Sequence, residues 1–305
     1  MLVIGKDKIS TDHVMWQPAF RCEFNCHNCY VSKSPASSYS GSLRVDLYSL
    51  LFIEKKLSCS QFTISLDTTL DPDPGLVNLF KELWTRYDHE KNLPDLCLTI
   101  RDYDSLKSWA SLVMGRQDNP TIKFLSKVDT LSLSCMPKSD WTRQELRNII
   151  DCLDVKLHYN AMISGYLPVD QFDSGVKLAD KVYLTLEKDA LGSGPDAKAI
   201  ERWFESRDRV PKEKLIEDSC MQDTVINIKS GLTCGAGTRK LHVWPDGSVT
   251  GCPYDSYHLM DDKVRVGPVD TWENIQRIVH NRNPSPMDYC GIPKVFRKVM
   301  ERSKK

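Results

Sequence analysis

The sequence predicts an α/β protein built around a parallel sheet or barrel of six β/α units, with a smaller module after it. Strand-like and helix-like segments alternate as far as Ser206, which is the pattern of a parallel sheet covered by helices. Each unit is about 25 to 40 residues long, the length that a crossover between parallel strands requires. After Pro211 the alternation stops and a hairpin pattern takes over.

The elements follow in order. The apolar run His13 to Phe20 reads as the first strand, and Ser32 to Ser42, rich in Ser with Pro and Gly, as an irregular loop. Leu43, Leu47, Leu50, Leu51, Ile53 and Leu57 fall near helical period. Gln61 to Thr69 is a strand, and Pro74 to Glu90 a helix with proline in its opening turn. Leu96 to Tyr103 is the third strand, Ser105 to Met114 a short helix and Asp129 to Cys135 the fourth strand. Ser139 to Leu153 is a helix capped by Ser139 or Asp140. Val155 to Ile163, Val169 to Ala179, Lys181 to Glu187 and Asp196 to Ser206 complete the fifth and sixth units.

Read at period two, these strands have one apolar and one polar face. Phe62, Ile64 and Leu66 alternate with Thr63, Ser65 and Asp67; Leu96, Leu98 and Ile100 with Cys97, Thr99 and Arg101; Leu131 and Leu133 with Ser132 and Ser134. The fifth strand offers His158 and Asn160, and the sixth Tyr183, Thr185 and Glu187. Parallel strands between helices are usually apolar on both faces. A polar face on five of them points to a lumen that holds ligands. Functional groups of such barrels sit at the C-terminal strand ends, which selects Asp67, Arg101, Ser134, Asn160 and Glu187, while His158 reads either as a functional group or as a hydrogen-bonded lumen histidine. Cys135, one residue out of step with the polar face, should face the helices.

Composition narrows the function classes. The chain has 305 residues, 41 basic and 41 acidic side chains and 41% hydrophobic residues, ordinary for a globular protein. A balanced charge gives no steering toward nucleic acid or anionic membrane. No apolar run approaches the roughly 20 residues of a membrane span, and the N-terminus lacks signal-peptide features. Eleven cysteines without such a signal suit metal or cluster ligation in a reducing cytoplasm better than a disulfide framework.

Three of those cysteines stand in one loop after the first strand, Cys22-Glu-Phe-Asn-Cys26-His-Asn-Cys29. Three thiolates can converge on one inorganic centre and leave a coordination position open. Spacing alone admits an iron–sulfur site, a zinc site or free thiols. His27, between two of the cysteines, is poorly placed to complete a zinc tetrahedron.

In spacing, order and position this loop resembles the signature of the radical S-adenosylmethionine (SAM) superfamily, Cys-x3-Cys-x2-Cys. The resemblance implies an open (β/α)6 partial TIM barrel over residues 1–210. It further implies that Cys22, Cys26 and Cys29 hold a [4Fe-4S] cluster whose fourth iron chelates SAM. An electron from such a cluster cleaves SAM to methionine and a 5′-deoxyadenosyl radical, which abstracts hydrogen from a substrate. The aromatic residue that the family prefers before the third cysteine is Asn28 here, with Tyr30 just after it; Tyr30 joins the expected SAM contacts. Where the family has a Gly-Gly-Glu-Pro-like motif, this chain has Leu66-Asp67-Thr68-Thr69. Asp67 and Thr68 would then serve the SAM amino group, with Ser134 and Asn160 as further cofactor contacts. Arg101, a partner for a carboxylate or simply a rim salt bridge, is a substrate candidate with His158, Tyr183 and Glu187.

Residues 211–305 form the second module. Thr224 to Lys229 alternates like a strand, Pro245-Asp246-Gly247 between apolar runs signals a β-hairpin, and Thr271 to His280 reads as a helix that packs the module on the barrel. Cys234-x12-Gly247-x4-Cys252 resembles the opening of the SPASM/twitch extensions that follow many radical SAM barrels. A full SPASM cysteine array is absent, so the resemblance implies the shorter twitch type. Cys234, Cys252 and Cys290, with Cys220 as the fourth ligand, would hold an auxiliary [4Fe-4S] cluster. A three-cysteine cluster that binds substrate, or a module with no cluster, remain open.

The resulting expectation is a cytoplasmic radical SAM oxidoreductase that takes its electron from a reductant such as flavodoxin or ferredoxin. It would act on a small polar metabolite or nucleoside-type substrate. The alternative is a maturase that modifies a ribosomal peptide or protein side chain; the short stretch before Cys22 leaves no room for an N-terminal peptide-recognition domain. A different class, a non-catalytic zinc or iron–sulfur binding protein, also fits the cysteines.

Overall fold

The computed structural model describes residues 3–5, 8–18, 47, 50–51, 54–66, 74–87, 93–164, 168–187, 197–217, 239–245, 247–251 and 271–280. Ten strands are found among them: β1 Val3–Gly5, β2 Lys8–Trp16, β3 Leu57–Ser65, β4 Asp95–Ile100, β5 Thr130–Leu133, β6 Lys156–Ile163, β7 Lys181–Leu186, β8 Leu215–Glu217, β9 Lys240–Val243 and β10 Val249–Thr250. They form one sheet in the order β10-β9-β2-β3-β4-β5-β6-β7-β8, with β1 beside β2. All pairs from β9 to β8 are parallel; β1–β2 and β9–β10 are antiparallel. The sheet does not close on itself, so this is an open partial barrel. Its β2 to β7 are the six strands expected from the sequence.

Seven helices are described: α1 Pro74–Tyr87, α2 Tyr103–Met114, α3 Pro120–Leu125, α4 Asp140–Leu153, α5 Val169–Leu178, α6 Ala197–Arg209 and α7 Thr271–His280. Their starts are chemically marked. Asp102 caps α2 by accepting from the Ser105 amide at 2.9 Å, and Ser139 caps α4 by accepting from the Thr142 amide at 3.1 Å. The expected strand Leu96–Tyr103 therefore ends at Ile100, because Tyr103 already belongs to the helix that Asp102 opens. The short α3 begins at Asn119, which takes a left-handed backbone (φ 49°) and accepts from Ile122 N.

Two strands sit earlier than expected. β2 starts at Lys8 because its first half pairs with β1 (Ser10 with Val3, Ile9 with Ile4) and with β3 (Ile9 with Leu57). It ends at Trp16; Gln17 N still donates to Val243 O at 2.9 Å, and Pro18 has no amide to continue. β3 spans Leu57–Ser65 rather than Gln61–Thr69, since Leu57 continues the same pairing. Of the helical pattern in residues 43–57, Leu47, Leu50, Leu51 and Leu57 are described and buried, Leu57 as the first residue of β3 rather than as part of a helix. The expected strand Thr224–Lys229 and the loop Ser32–Ser42 lie outside the described residues.

One device fixes the register twice. Asp129, just before β5, accepts from Leu96 N at 2.7 Å while its own amide donates to Leu96 O at 3.0 Å. Asp180, just before β7, does the same to Leu157 of β6, at 2.8 and 2.9 Å. A slip by one residue would move every side chain to the wrong face, and these paired bonds oppose it.

The apolar face of the sheet packs on the helices. Trp16, Phe62, Phe80, Trp84, Trp109 and Phe124 form a continuous aromatic cluster, with Phe80 edge-on to Trp109 at 5.1 Å and Trp84 stacked on Phe124 at 4.5 Å. Burying each such side chain contributes roughly 2 to 3 kcal/mol. Farther along, Tyr159 of β6 packs on Phe172 of α5, and Trp203 of α6 donates to Leu184 O of β7. With this face committed to the helices, the polar face is left to line the barrel.

Candidate functional site

The strand register arranges the polar residues in rows across that inner face. Toward the N-terminal ends run His242, Met15, Thr63, Cys97, Thr130 and Lys156. The next row is Ser65, Thr99, Ser132, His158 and Lys181. Above it Asn160 faces Tyr183, and Met162 faces Thr185. Thr63, Ser65, Ser132 and His242 are buried, so much of this polar surface is held away from bulk water.

Internal hydrogen bonds order it. His13 Nε2 lies 2.8 Å from Thr63 Oγ1, joining β2 to β3. The Thr185 hydroxyl donates to Asn160 Oδ1 at 2.7 Å, joining β7 to β6. That bond occupies the carbonyl side of the Asn160 amide and leaves its NH2 group as the donor for a ligand.

The expected site residues fall into two groups. Arg101 and Ser134 are brought side by side at the C-terminal ends of β4 and β5, where Ser134 N donates to Ile100 O at 3.2 Å and Cys135 N to Arg101 O at 2.6 Å. Arg101 Nε lies 3.8 Å from the helix-capping Asp102, which makes it a half-exposed rim group. Asn160 and Tyr183 face each other on the inner wall, and Glu187 follows the end of β7, its amide on Ile163 O at 2.9 Å. His158 lies deeper, one row below Asn160, opposite Lys181. Cys22, Cys26, Cys29, Tyr30, Asp67, Thr68, Cys220, Cys234, Cys252 and Cys290 lie outside the described residues.

Four cysteines are described as free thiols: Cys59, Cys97, Cys135 and Cys152. Burial pushes the Cys97 thiol up to about 11, against hydrogen bonds from Thr63, Thr99 and Gln61, and pushes Cys59 up to about 12. Both stay protonated at neutral pH, unlike a thiolate ligand. Cys135 lies near enough to Tyr159, on the helix side of the sheet, to influence its ionisation, as its place in the alternation implies. The other seven of the eleven cysteines are those named from spacing and resemblance as cluster ligands.

The C-terminal hairpin completes the wall. Trp244 N donates to Ser248 O at 2.9 Å and Gly247 N to Trp244 O at 2.9 Å, with Gly247 at φ 81°. A left-handed φ of this kind favours glycine. The turn is the expected one, yet β9 is also a strand of the main sheet, parallel to β2. It thereby puts His242 on the inner face, opposite Met15. Sequence reading missed this residue, although the alternation of Lys240 and His242 with Leu241 and Val243 carries the same period-two signal as the other strands. Helix α7 spans the expected residues, Thr271–His280, and contacts the hairpin, with Asn274 Nδ2 donating to Gly247 O at 3.1 Å.

Three inner-face imidazoles are held neutral. His13 is lowered to about 3 by burial and then by Lys240, and His242 to about 3 by burial and then by His13. His158 is lowered to about 4, chiefly by burial; Asp180 opposes the shift, and Lys156 and Lys181 add to it. A depressed folded-state pKa means that the unfolded chain takes up protons which the folded chain refuses, from about pH 6.5 down to the folded values. Stability is therefore expected to be fully present above about pH 6.5 and to fall as the pH drops through that window. Urea midpoints at pH 7.5 and 5.5 test this, and the fall should be shallower in His13→Gln. Equal midpoints in wild type would contradict it.

No family model and no curated protein sequence matches this chain. Solved structures do. Streptococcus suis SuiB bound to precursor peptide SuiA superimposes with a TM-score of 0.57 at 13% identity, covering 94% of this chain and 71% of SuiB. Native anSMEcpe with bound AdoMet and the Cp18Cys peptide gives 0.53 at 14% identity, covering 88% of this chain and 81% of that one. The same protein with AdoMet and the Kp18Cys peptide gives 0.50 at 12% identity. At these identities the likeness establishes architecture: the chain has the open (β/α) partial-barrel fold of SuiB and anSMEcpe.

Proposed function

We propose that this protein is a radical SAM enzyme that modifies a side chain of a peptide or protein. The observation that carries the reading is that Cys22-x3-Cys26-x2-Cys29 follows the first parallel strand, β2, of a barrel built like that of anSMEcpe. The anSMEcpe structure holds AdoMet (SAM) together with a peptide, and SuiB holds a precursor peptide. This supports the peptide alternative over the small polar metabolite that composition and lumen chemistry first favoured.

The donor set suits the cofactors. Three thiolates leave one iron of a [4Fe-4S] cluster open, and the inner face offers hydroxyl, amide and imidazole groups suited to an amino acid and a nucleoside. When bound, the cluster and SAM supply a one-electron cleavage that yields methionine and a 5′-deoxyadenosyl radical, with the electron drawn from a donor such as flavodoxin or ferredoxin. The chain's own contribution is to bind, orient and exclude water. Asp67 and Thr68 would receive the SAM amino group, Ser134, Tyr30 and the Asn160 NH2 would position the remainder, and Arg101 or Glu187 at the rim would meet the substrate backbone or side chain. The neutral imidazoles and protonated Cys97 add no charge to compete with that of the cofactor. A twitch-type cluster on Cys234, Cys252, Cys290 and Cys220 would accept the substrate electron.

The test is anaerobic reconstitution followed by iron and sulfide analysis and an assay for 5′-deoxyadenosine from SAM under dithionite. About eight irons per chain supports both clusters, and about four supports the barrel cluster alone. Colourless zinc protein that forms no deoxyadenosine would return the chain to the non-catalytic metal-binding class. For the substrate, short peptides encoded beside the gene are expected to change mass on incubation, with deoxyadenosine formed in step.

A further inference from the structure

Among the described residues, four large apolar side chains are exposed: Leu112, Trp141, Met162 and Val169. All but Leu112 gather at one end of the barrel. Trp141 stands in the first turn of α4 and Val169 opens α5, the helices that follow β5 and β6, and Met162 is the next-to-last residue of β6. These residues therefore lie at the C-terminal ends of the strands, where barrels of this kind place their chemistry.

Arg143 of α4 donates to Ser174 Oγ of α5 at 3.0 Å, so the two helices run side by side and their first turns flank the same stretch of rim. Met162, 44% exposed, belongs to the inner face, in the row above Asn160 and opposite Thr185, and carries the apolar surface from the rim into the lumen. Trp141 is the extreme case. It is 70% exposed, and among the described residues its ring stacks on no other and its indole N–H has no acceptor. Around it Lys138 and Asp140 are both exposed and of opposite sign, so apolar area rather than charge is what this part of the rim offers. A tryptophan buries roughly 150 to 250 Å2 when it is covered, and tryptophans are enriched among the residues that dominate recognition surfaces.

We propose that Trp141, together with Val169, holds an aromatic or aliphatic side chain of the peptide substrate and so sets which peptides the enzyme accepts. The inference rests on the peptide reading above. Continuity selects this occupant: the residue to be modified enters the lumen past Met162, and a chain that leaves over the ends of β5 and β6 meets the helix starts where Trp141 and Val169 stand. The distance sets the register. Helix α4 lies outside the sheet, and a helix with its side chains is about 10 Å across, so a chain leading from the lumen wall to Trp141 covers about 10 Å. At about 3.3 Å per extended residue, the anchoring side chain falls about three or four residues from the modified one.

The test uses the full reconstituted chain and, as probe, a peptide encoded beside the gene that changes mass on incubation with it. Trp141→Ala is expected to raise the KM for that peptide about tenfold with kcat within about twofold, the mark of lost substrate binding rather than lost chemistry. Trp141→Phe should stay within about threefold of wild type, since it keeps an aromatic surface. In the peptide, serine in place of the apolar residue about three or four positions from the modified one should raise KM to a similar extent in wild type and little further in Trp141→Ala. Trp141 is exposed, so iron content and melting temperature should be those of wild type. An unchanged KM in Trp141→Ala, or effects of the two substitutions that simply multiply, would overturn the inference and leave the peptide reading standing. A wild type that forms deoxyadenosine but modifies none of the neighbouring peptides would overturn both.

Discussion

Cys26→Ala is expected to form no 5′-deoxyadenosine above a dithionite-only control and to lose about four irons per chain. The reason is stoichiometric. A cluster that leaves one iron for SAM needs the other three irons held by protein, and Cys22, Cys26 and Cys29 are the only closely spaced thiol triplet in the sequence. With one thiolate gone, two remain, and no other cysteine in that loop can replace it. The described cysteines offer no rescue either, since Cys59 and Cys97 are held as buried thiols within strands. Cys252→Ala is the informative companion. If it holds an auxiliary cluster, it too loses about four irons, yet deoxyadenosine formed without substrate persists, because that step needs only the barrel cluster. Full iron content and undiminished deoxyadenosine in Cys26→Ala would remove Cys26 as a ligand of the cluster that cleaves SAM.

The six-unit core was legible because period-two alternation runs through β3 to β7 and an apolar run marks β2, and Asp129 and Asp180 hold the register that the alternation implies. Strand ends were less legible. β2 begins with Lys8-Ile-Ser-Thr-Asp, a polar run that becomes a strand only through its pairing with β1 and β3. β8, three residues long, becomes a strand only by pairing with β7. α3 has six residues and depends on the Asn119 cap. Such elements arise from tertiary contacts that no local pattern encodes.

The site divides in the same way. The inner-face positions of Asn160 and Tyr183 were legible because side-chain direction follows from strand parity alone. His13 and His242 were not, because their meeting depends on β9 joining β2 across about 227 residues of chain. The hairpin was read correctly as a hairpin, but nothing local said that its first arm would extend the barrel. The depth of His158 was likewise a matter of register, set by Lys181 opposite and Asp180 below. The cysteine ligands rest on spacing and resemblance.

Gly175→Ala is expected to lower stability by about 2 kcal/mol, a drop of about 3 °C in Tm for a chain of this length. Two effects oppose each other. Alanine favours the interior of α5 over glycine by about 1 kcal/mol. The added Cβ, however, would fall inside the contact distance of Tyr159 Cδ1 and Cε1 and 2.9 Å from Cζ. Overpacking of this kind costs about 3 kcal/mol when the neighbour cannot move. Tyr159 cannot move freely: it is fully buried, packs on Phe172 at 6.4 Å between ring centroids, and stands on a central strand. The ring rather than its hydroxyl is the obstacle. That hydroxyl has no hydrogen-bond partner among the described residues, and burial, with Cys135 nearby, pushes its pKa up. Tyr159→Phe should therefore change stability little and should not relieve Gly175→Ala, whereas Tyr159→Leu should relieve it in a double-variant cycle. Thermal melts of the four proteins decide, and a Gly175→Ala protein as stable as wild type would show that the ring yields. The consequence reaches the site, because the residues flanking Tyr159 on β6, His158 and Asn160, belong to the inner face. A ring pushed toward the sheet displaces the strand whose Asn160 bonds Thr185, so the absence of a side chain at Gly175 on the outer layer helps keep the inner wall in register.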